Sequence, residues 1–390
     1  MEKIFTGTTI LWGENLEEKT DHALYVKDGK IIALLHQSQI PSDKHVVQLE
    51  GGFLLPGLID LHVHIMWDGS ANPVETQNKE SYEQKIIRSI SNAQKHLKNG
   101  VTTVRDLGSV DDIALHVAEA INRKIIDGPR IIACGKTLTM TGGHDPFWGR
   151  FCDGPYEGLK GVREQIYKNA QVIKVSATGG VYGRERGEVA ENAELTYEEL
   201  KVICDEAHRF GLKVASHAIG REGILNSIKA GVDSIEHGHY LDDELIELMI
   251  KNNVSWVPTL FVYQQIAQFN GIPQYAQEKA KKIIARHEKA FRSYFNSGVL
   301  IGAGSDAGSC LTPHPAVVEE LQTMNKYIAN VRDILKTATS NAGKILGLNV
   351  GQITEGYQAD LIHLSSNPLE DLNALKDIRK VYIGGEIVYR

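Results

Sequence analysis

The sequence predicts an α/β fold, a (β/α)₈ TIM barrel with a small β-sandwich domain built from both chain ends. β-prone segments alternate with amphipathic helical segments through the middle of the chain, and eight such units can be counted. Both ends are instead rich in short β-prone runs. We expect residues 1–55 and 348–390 to form the sandwich domain and residues 56–347 to form the barrel.

Both chain ends have the pattern of short antiparallel strands. Asp28 and Gly29 separate the β-prone residues 23–26 from residues 31–34, and an Asp-Gly pair between apolar runs predicts a hairpin. Gly384 and Gly385 divide the C-terminal β-prone segment in the same way. The two ends can pair in one small domain although they are far apart in sequence.

The eight central units each begin with a short apolar run that we predict to be a strand. These runs are residues 58–64, 101–107, 130–135, 172–177, 213–217, 234–237, 255–259 and 299–305. Predicted helices include residues 81–97, 196–210, 242–251, 275–296 and 315–327, and Thr196 with Glu199 forms a capping-box pattern. Eight units in about 290 residues fit a closed barrel, whose usual size is about 250 residues. A doubly wound open sheet is the alternative.

Composition excludes several classes of protein. The chain has 390 residues, 42% hydrophobic and 23% charged, which argues against wholesale disorder. Its net charge of −7 argues against a broad basic face for nucleic acid. No apolar run approaches the ~18–20 residues of a membrane helix, and the first residues lack a signal-peptide pattern. Four scattered cysteines with no Cys-x-x-Cys pair favour a cytoplasmic protein. We therefore expect neither a nucleic-acid nor a membrane partner.

Polar side chains stand where the predicted strands end. His62 and His64 are two residues apart on the first strand, so their side chains lie on the same face. Their two imidazoles can therefore bind one metal ion together. The C-terminal strand ends of such a barrel meet on one face, where active sites lie. Further candidates on the fourth, fifth, sixth and eighth strands are Lys174, His217, His237 and Asp306.

Lys174 is unusual because it lies within the apolar run of the fourth strand. A buried lysine is costly unless it is neutralised or paired, and a snorkelling lysine or a buried ion pair is the plainer interpretation of Lys174 alone. The joint pattern of four histidines, one lysine and one aspartate, each near a strand end, predicts a metal site.

Two motifs resemble the amidohydrolase superfamily of metal-dependent hydrolases. Residues 56–64, PGLIDLHVH, resemble its first-strand signature. Residues 351–361, GQITEGYQADL, resemble its return into the flanking β-sandwich. The resemblance extends over nearly the whole chain.

The resemblance implies a hydrolase with two divalent metal ions. It implies that His62, His64 and Asp306 bind one ion and that His217 and His237 hold the other. Lys174, carboxylated by CO₂, would bridge both as a carbamate, and Asp306 would also move protons. Zn²⁺ is the expected metal, with Mn²⁺, Co²⁺ and Fe²⁺ as alternatives.

Two loops resemble one branch of that superfamily, which includes Xaa-Pro dipeptidases, arginine carboxypeptidases, ochratoxinase and imidazolonepropionase-related proteins. These loops are residues 142–144 and 174–180. The branch implies hydrolysis of the amide bond of dipeptides or N-acyl amino acids by a metal-bridging hydroxide. It implies that His144 contacts the substrate carbonyl or carboxylate and that Tyr240 polarises the carbonyl.

Other assignments stay open at this point. Arg184 and Arg186 either clamp a substrate carboxylate or belong to a solvated loop. Phe147 and Trp148 either wall an apolar pocket or pack under their own loop, so proline, arginine and aromatic leaving groups are all compatible. The same machinery also fits a cyclic amide, lactone, phenylurea or phosphotriester. A non-catalytic assembly protein is a third alternative, and the resemblance implies a homo-oligomer.

Overall fold

The structure is a computed structural model that describes residues 2–269 and 271–389. The strands are β1 (Glu2–Thr6), β2 (Thr9–Trp12), β3 (Glu17–Lys19), β4 (His22–Lys27), β5 (Lys30–His36), β6 (Val46–Gln48), β7 (Phe53–Pro56), β8 (Leu58–Val63), β9 (Val101–Asp106), β10 (Arg130–Ala133), β11 (Leu138–Thr139), β12 (Arg150–Phe151), β13 (Val172–Ser176), β14 (Lys213–Ala218), β15 (Ser234–His237), β16 (Ser255–Val257), β17 (Leu361–Leu364), β18 (Ile378–Ile383) and β19 (Glu386–Tyr389). The helices are α1 (Pro73–Lys79), α2 (Tyr82–Lys98), α3 (Ile113–Asn122), α4 (Pro155–Tyr167), α5 (Tyr197–Arg209), α6 (Arg221–Ala230), α7 (Asp243–Lys251), α8 (Leu260–Gln268), α9 (Gln274–Tyr294), α10 (Val317–Asn325), α11 (Val331–Thr337) and α12 (Ser340–Leu346).

The chain ends form two sheets that share one core. One sheet has the strand order β5-β4-β1-β6, and the other has β19-β18-β17-β7-β2-β3. Their buried side chains form a common cluster, in which the rings of Phe5 and Tyr382 meet edge to face at 5.0 Å. The Asp28-Gly29 turn joins β4 to antiparallel β5, and both residues have positive φ, as a tight hairpin requires. Strands from the two ends meet at β7 and β17, which pair antiparallel.

The middle of the chain supplies parallel strands that are mostly neighbours in sequential order. One sheet runs β10-β9-β8 and the other β12-β11-β13-β14-β15-β16, in which β13 to β16 follow the chain and only the two-residue strand β12 lies out of order, beside β11. The backbone N–H of Gln171 donates to the carbonyl of Ala133 at 2.9 Å, which links β10 to β13. Every residue of β8, β9, β13 and β15 is buried, as expected for parallel strands covered on both faces.

The predicted eighth strand, residues 299–305, is not a regular strand, and this prediction is wrong in that respect. Ile301 forms an isolated parallel bridge with Trp256. The reason is that the segment divides its backbone hydrogen bonds between β16, β8 and the end of α11. In addition, the Ser305 N–H donates to the Asp60 side chain at 2.9 Å instead of to a neighbouring strand. The segment still joins β16 to β8 by hydrogen bonds.

Helix positions follow the predicted patterns within a few residues. Thr196 caps α5 through its capping box with Glu199, and Ser81 and Asp242 cap α2 and α7 through their side chains. The four cysteines are buried and unpaired by disulfides. Among the described residues, no helix is long and apolar enough to cross a membrane.

Candidate active site

Six predicted metal-site side chains line a single cavity at the C-terminal ends of the parallel strands. They are His62, His64, Lys174, His217, His237 and Asp306. Ligand atoms of His62, His64 and Asp306 lie within 4.8 Å of one another, and all three residues are buried. The structure thus brings together groups that are up to 244 residues apart, from His62 to Asp306, in the sequence.

The backbone is strained at four residues in and beside the site. His237, Thr259, Asp306 and Asp145 have φ values of 72°, 52°, 58° and 59°. Non-glycine residues in this left-handed region cost about 1–3 kcal/mol each, and such residues cluster at functional sites. The strain turns the chain sharply at the ends of β15, β16 and the 299–305 segment.

Hydrogen bonds to residues behind the imidazoles orient His62, in β8, and His64, which directly follows β8. The Nδ1 of His62 lies 2.9 Å from the carboxylate of Glu236, and the Nδ1 of His64 lies 3.1 Å from the carbonyl of Gly108. Both outer partners accept, so each Nδ1 carries the hydrogen and each Nε2 keeps its lone pair. Those Nε2 atoms face Asp306, at 3.9 Å from His62 and 3.3 Å from His64.

The other two histidines are oriented differently. The Nε2 of His217 donates to the carbonyl of Gly179 at 3.0 Å, which leaves its Nδ1 as the free donor atom. The Nδ1 of His237 is bonded to the Thr259 hydroxyl at 2.7 Å, which leaves Nε2. The rings of His217 and His237 are 4.5 Å apart. Each imidazole therefore has one nitrogen held by the protein and one available to a metal.

Glu236 belongs to a buried network beneath His62. Its second oxygen accepts from Arg105 at 2.7 Å and from the Ser234 hydroxyl at 2.6 Å. Arg105 also donates to the carbonyl of Leu61 at 2.7 Å. The network ties the orientation of His62 to strands β8, β9 and β15.

Lys174 is buried in β13 without an ion-pair partner. It is 2% exposed, and among the described residues no carboxylate forms a salt bridge with it. Lys174 therefore forms no direct ion pair among the described residues, although its charge still acts on Asp145. An unpaired buried ammonium is costly, whereas a carbamate on the same nitrogen would supply two oxygen donors.

Most charges in the site favour metal binding, and His64 is the exception, because burial lowers its pKa but Asp306 outweighs burial and raises it. Burial and Lys174 lower the pKa of His62 well below its ordinary value, and burial and His144 lower the pKa of His217 to about 3. Burial alone would raise the pKa of Asp306, but the neighbouring imidazoles outweigh it and hold the pKa below its ordinary value. Neutral imidazoles and an ionised carboxylate are the forms that bind a divalent cation. The donor set fits such an ion.

A sequence profile of the amidohydrolase family matches residues 53–388. The chain belongs to the amidohydrolase family. It is 32% identical to the ochratoxinase of Aspergillus niger over 369 residues, which cover 86% of this chain and 75% of that protein. A crystal structure of a Xaa-Pro dipeptidase with methionine in its active site is 30% identical, with a TM-score of 0.90 and 99% of both chains covered. A prolidase complexed with N-methylphosphonate-L-proline is 27% identical, with a TM-score of 0.91 and both chains fully covered.

These similarities identify this amidohydrolase as a hydrolase of carbon–nitrogen bonds. They also imply a TIM-barrel fold, with which the mixed α/β content agrees. The family generally uses a divalent metal centre, and His62, His64 and Asp306 form a possible site for one ion.

The predicted substrate residues of this amidohydrolase divide into two groups. His144 lines the cavity and stacks on His217 at 4.1 Å. Tyr240, Arg184 and Arg186 are not among the cavity-lining residues that the structure describes. The Tyr240 hydroxyl donates to Glu191 at 3.0 Å, the Arg184 guanidinium donates to the Gly142 carbonyl, and Arg186 is exposed.

The sequence analysis missed Asp145 and Glu188, which flank His144. Asp145 lines the cavity and accepts from the Ser176 hydroxyl at 2.8 Å, and Glu188 lies 2.6 Å from His144 Nδ1. Burial opposes protonation of His144, yet the two carboxylates raise its pKa to about 9. Conversely, burial favours the neutral form of Asp145, but His144 and Lys174 lower its pKa to about 2. Adjacency to His144 is the only signal for Asp145 in the sequence, and nothing local marks Glu188.

Proposed function

We propose that this amidohydrolase hydrolyses the amide bond of dipeptides or N-acyl amino acids at a binuclear metal centre. The observation that carries the proposal is the convergence of four oriented imidazoles, Lys174 and Asp306 on one cavity. The similarity to a Xaa-Pro dipeptidase and to a prolidase with a phosphonate-proline ligand supports the substrate class.

In the proposed centre, His62, His64 and Asp306 would hold one ion. His217 and His237 would hold the second, and a carboxylated Lys174 would supply oxygen donors to the centre. Zn²⁺ is the expected metal because the donors are nitrogen and oxygen in a small buried site. When bound, the ions lower the pKa of water and polarise the scissile carbonyl.

The chain's own residues then carry the proton and orient the substrate. The oxygen of water bonds to the carbonyl carbon, the carbon–nitrogen bond breaks, and Asp306 moves the proton from the water to the leaving nitrogen. His144, cationic next to Asp145 and Glu188, is proposed to hold the substrate carbonyl or carboxylate. Tyr240 would polarise the carbonyl only after its hydroxyl leaves Glu191.

The domain organisation belongs to the same proposal. We infer that residues 56–347 form the barrel, closed by the hydrogen bonds of the 299–305 segment, and that residues 1–55 and 348–390 form the β-sandwich domain. The homo-oligomeric state and the cytoplasmic location stay predictions.

Metal analysis combined with a substrate panel tests the proposal. The purified protein is stripped with a chelator, reloaded with Zn²⁺, and assayed with dipeptides, N-acetyl amino acids, a lactone and a phosphotriester. We expect two ions per chain and amide hydrolysis, both lost in Lys174→Met. Lys213→Met is the matched control, because Lys213 lies on neighbouring β14 and donates to the Ile345 carbonyl outside the cavity.

Two outcomes would contradict the proposal. Cleavage of only the lactone or the phosphotriester would keep the metal centre and overturn the amide assignment. Failure to bind any divalent ion, together with no turnover for the whole panel, would favour a non-catalytic protein.

A further inference from the structure

One wall of the cavity is made of four aromatic rings. They belong to Trp67, Phe147, Trp148 and Tyr182, and we call them the aromatic wall. Trp67 lies 4.3 Å from Trp148, 5.6 Å from Phe147 and 6.0 Å from Tyr182, measured between ring centroids. The four rings come from three separate loops, after β8, β11 and β13, so they form a wall only in the folded protein.

The polar atoms of the aromatic wall are bonded to protein partners. The Nε1–H of Trp67 donates to Gln77 at 2.8 Å, and that of Trp148 donates to the Thr137 hydroxyl at 3.1 Å. The hydroxyl of Tyr182 donates to the Asn72 side chain at 2.7 Å. Since these hydrogen-bonding groups are already satisfied, the wall offers carbon surface to a ligand.

The aromatic wall begins directly beside the proposed metal centre. Trp148 stacks on the imidazole of His64, with centroids 4.7 Å apart and an interplanar angle of 29°. Val262 and Ile266 of α8 add further apolar side chains to the same cavity. A group attached next to a scissile amide at the metal centre would therefore meet rings and aliphatic carbon.

The charges of the cavity disfavour a basic group at this wall. Apart from the six proposed ligands, the ionised lining residues that the structure describes are His144 and Asp145, and Asp145 is already bonded to Ser176. A lysine or arginine side chain at the wall would lose its hydration and would have to compete with His144, which lies 3.4 Å from Asp145, for that carboxylate. The attraction of a cation to a ring face is smaller than the cost of removing an ion from water.

We propose that the aromatic wall binds an aromatic ring next to the scissile amide, so that aromatic amides are preferred over basic and small ones. This inference rests on the proposed function and narrows its substrate class. The ring can belong to the leaving amino acid or to the acyl group, since both place the same chemistry beside the metal centre.

Steady-state kinetics on matched amides test the inference. The panel is N-acetyl-phenylalanine, N-acetyl-arginine, N-acetyl-proline and N-acetyl-alanine, with N-benzoylglycine to place the ring on the acyl side. We expect kcat/KM for the better aromatic substrate to exceed that for N-acetyl-alanine at least 10-fold and that for N-acetyl-arginine at least 100-fold.

A substitution in the wall separates recognition from a general structural role. Phe147 is half-buried and no hydrogen bond of its ring is lost on truncation, so Phe147→Ala is expected to fold. We expect it to lower the ratio of kcat/KM for the aromatic substrate to kcat/KM for N-acetyl-alanine at least 10-fold, and an unchanged ratio would overturn the inference. The matched control is Tyr156→Ala, because Tyr156 is 87% exposed on α4.

Failure of this inference is distinguishable from failure of the proposed function. If amides are cleaved but arginine or alanine substrates equal the aromatic ones, the inference alone is overturned. If no amide is cleaved, the proposed function fails. The wall can then still be tested by measuring, through tryptophan fluorescence, the binding affinities of N-acetyl-phenylalanine and N-acetyl-arginine. Equal binding of the two acids, or binding unaffected by Phe147→Ala, would overturn it.

Discussion

Replacing Glu236 with glutamine is expected to weaken metal binding through the hydrogen position on His62. In the native site, one Glu236 oxygen accepts from both Arg105 and Ser234, and the other accepts from His62 Nδ1. A glutamine keeps the first pair of bonds only if its carbonyl oxygen takes that position. Its NH₂ group then faces Nδ1, which must accept, and the ring hydrogen moves to Nε2.

The expected magnitude follows from that exchange. A protonated Nε2 cannot ligate a metal, and outer partners of ligating histidines typically change metal affinity by about 10- to 100-fold. This range equals about 1.4–2.7 kcal/mol of binding free energy. The metal-free protein should also lose about 3 kcal/mol of unfolding free energy, because Arg105 keeps its charge in a buried site without an anionic partner.

Zinc competition with a chromophoric chelator measures the affinity, and urea unfolding of the metal-free protein measures the stability. Glu206→Gln is the control, since Glu206 pairs with Arg163 and Arg209 on the outside of α5 and should leave zinc affinity unchanged. If Glu236→Gln and Glu206→Gln both bind zinc within twofold of wild type, Glu236 does not control metal affinity through the hydrogen position on His62.

Three further predictions concern the same cavity and its supports. Asp306→Asn should keep bound metal but lower kcat by about 10²- to 10⁴-fold, because the proton carrier is lost; equal turnover at equal metal content would exclude the shuttle. Thr259→Val should weaken zinc affinity by about 10-fold through His237, whereas Thr259→Ser, which keeps the hydroxyl, should not; the two are compared by chelator competition. Burial raises the pKa of Glu320 to about 8 although the first turn of α8 donates two N–H groups to it. Because this folded-state pKa lies above the unfolded value, the stability should fall as pH rises from about 4.5 to about 8. Urea unfolding across that range should show an unfolding free energy that falls with pH in wild type and falls less steeply in Glu320→Gln. Identical pH dependences would contradict the assigned role of Glu320.

Local patterns in the sequence were enough to place most of the fold. The hairpin at Asp28 and Gly29, the capping box at Thr196 and seven of the eight parallel strands depend on neighbouring residues, and all appear in the structure. The 299–305 segment differs because its hydrogen bonds go to three different elements and to Asp60, and no local pattern records such partners.

The sequence by itself determined which residue types stand at the strand ends. Period-two alternation puts His62 and His64 on one face, and strand-end position selects His217, His237 and Asp306. Only the tertiary structure decided which nitrogen of each imidazole is free, that Glu236 supports His62, and that rings from three loops form one apolar wall. The physical reason is that spacing along the chain sets the direction of a side chain, whereas its hydrogen-bond partner and its neighbours across the cavity depend on how distant elements pack.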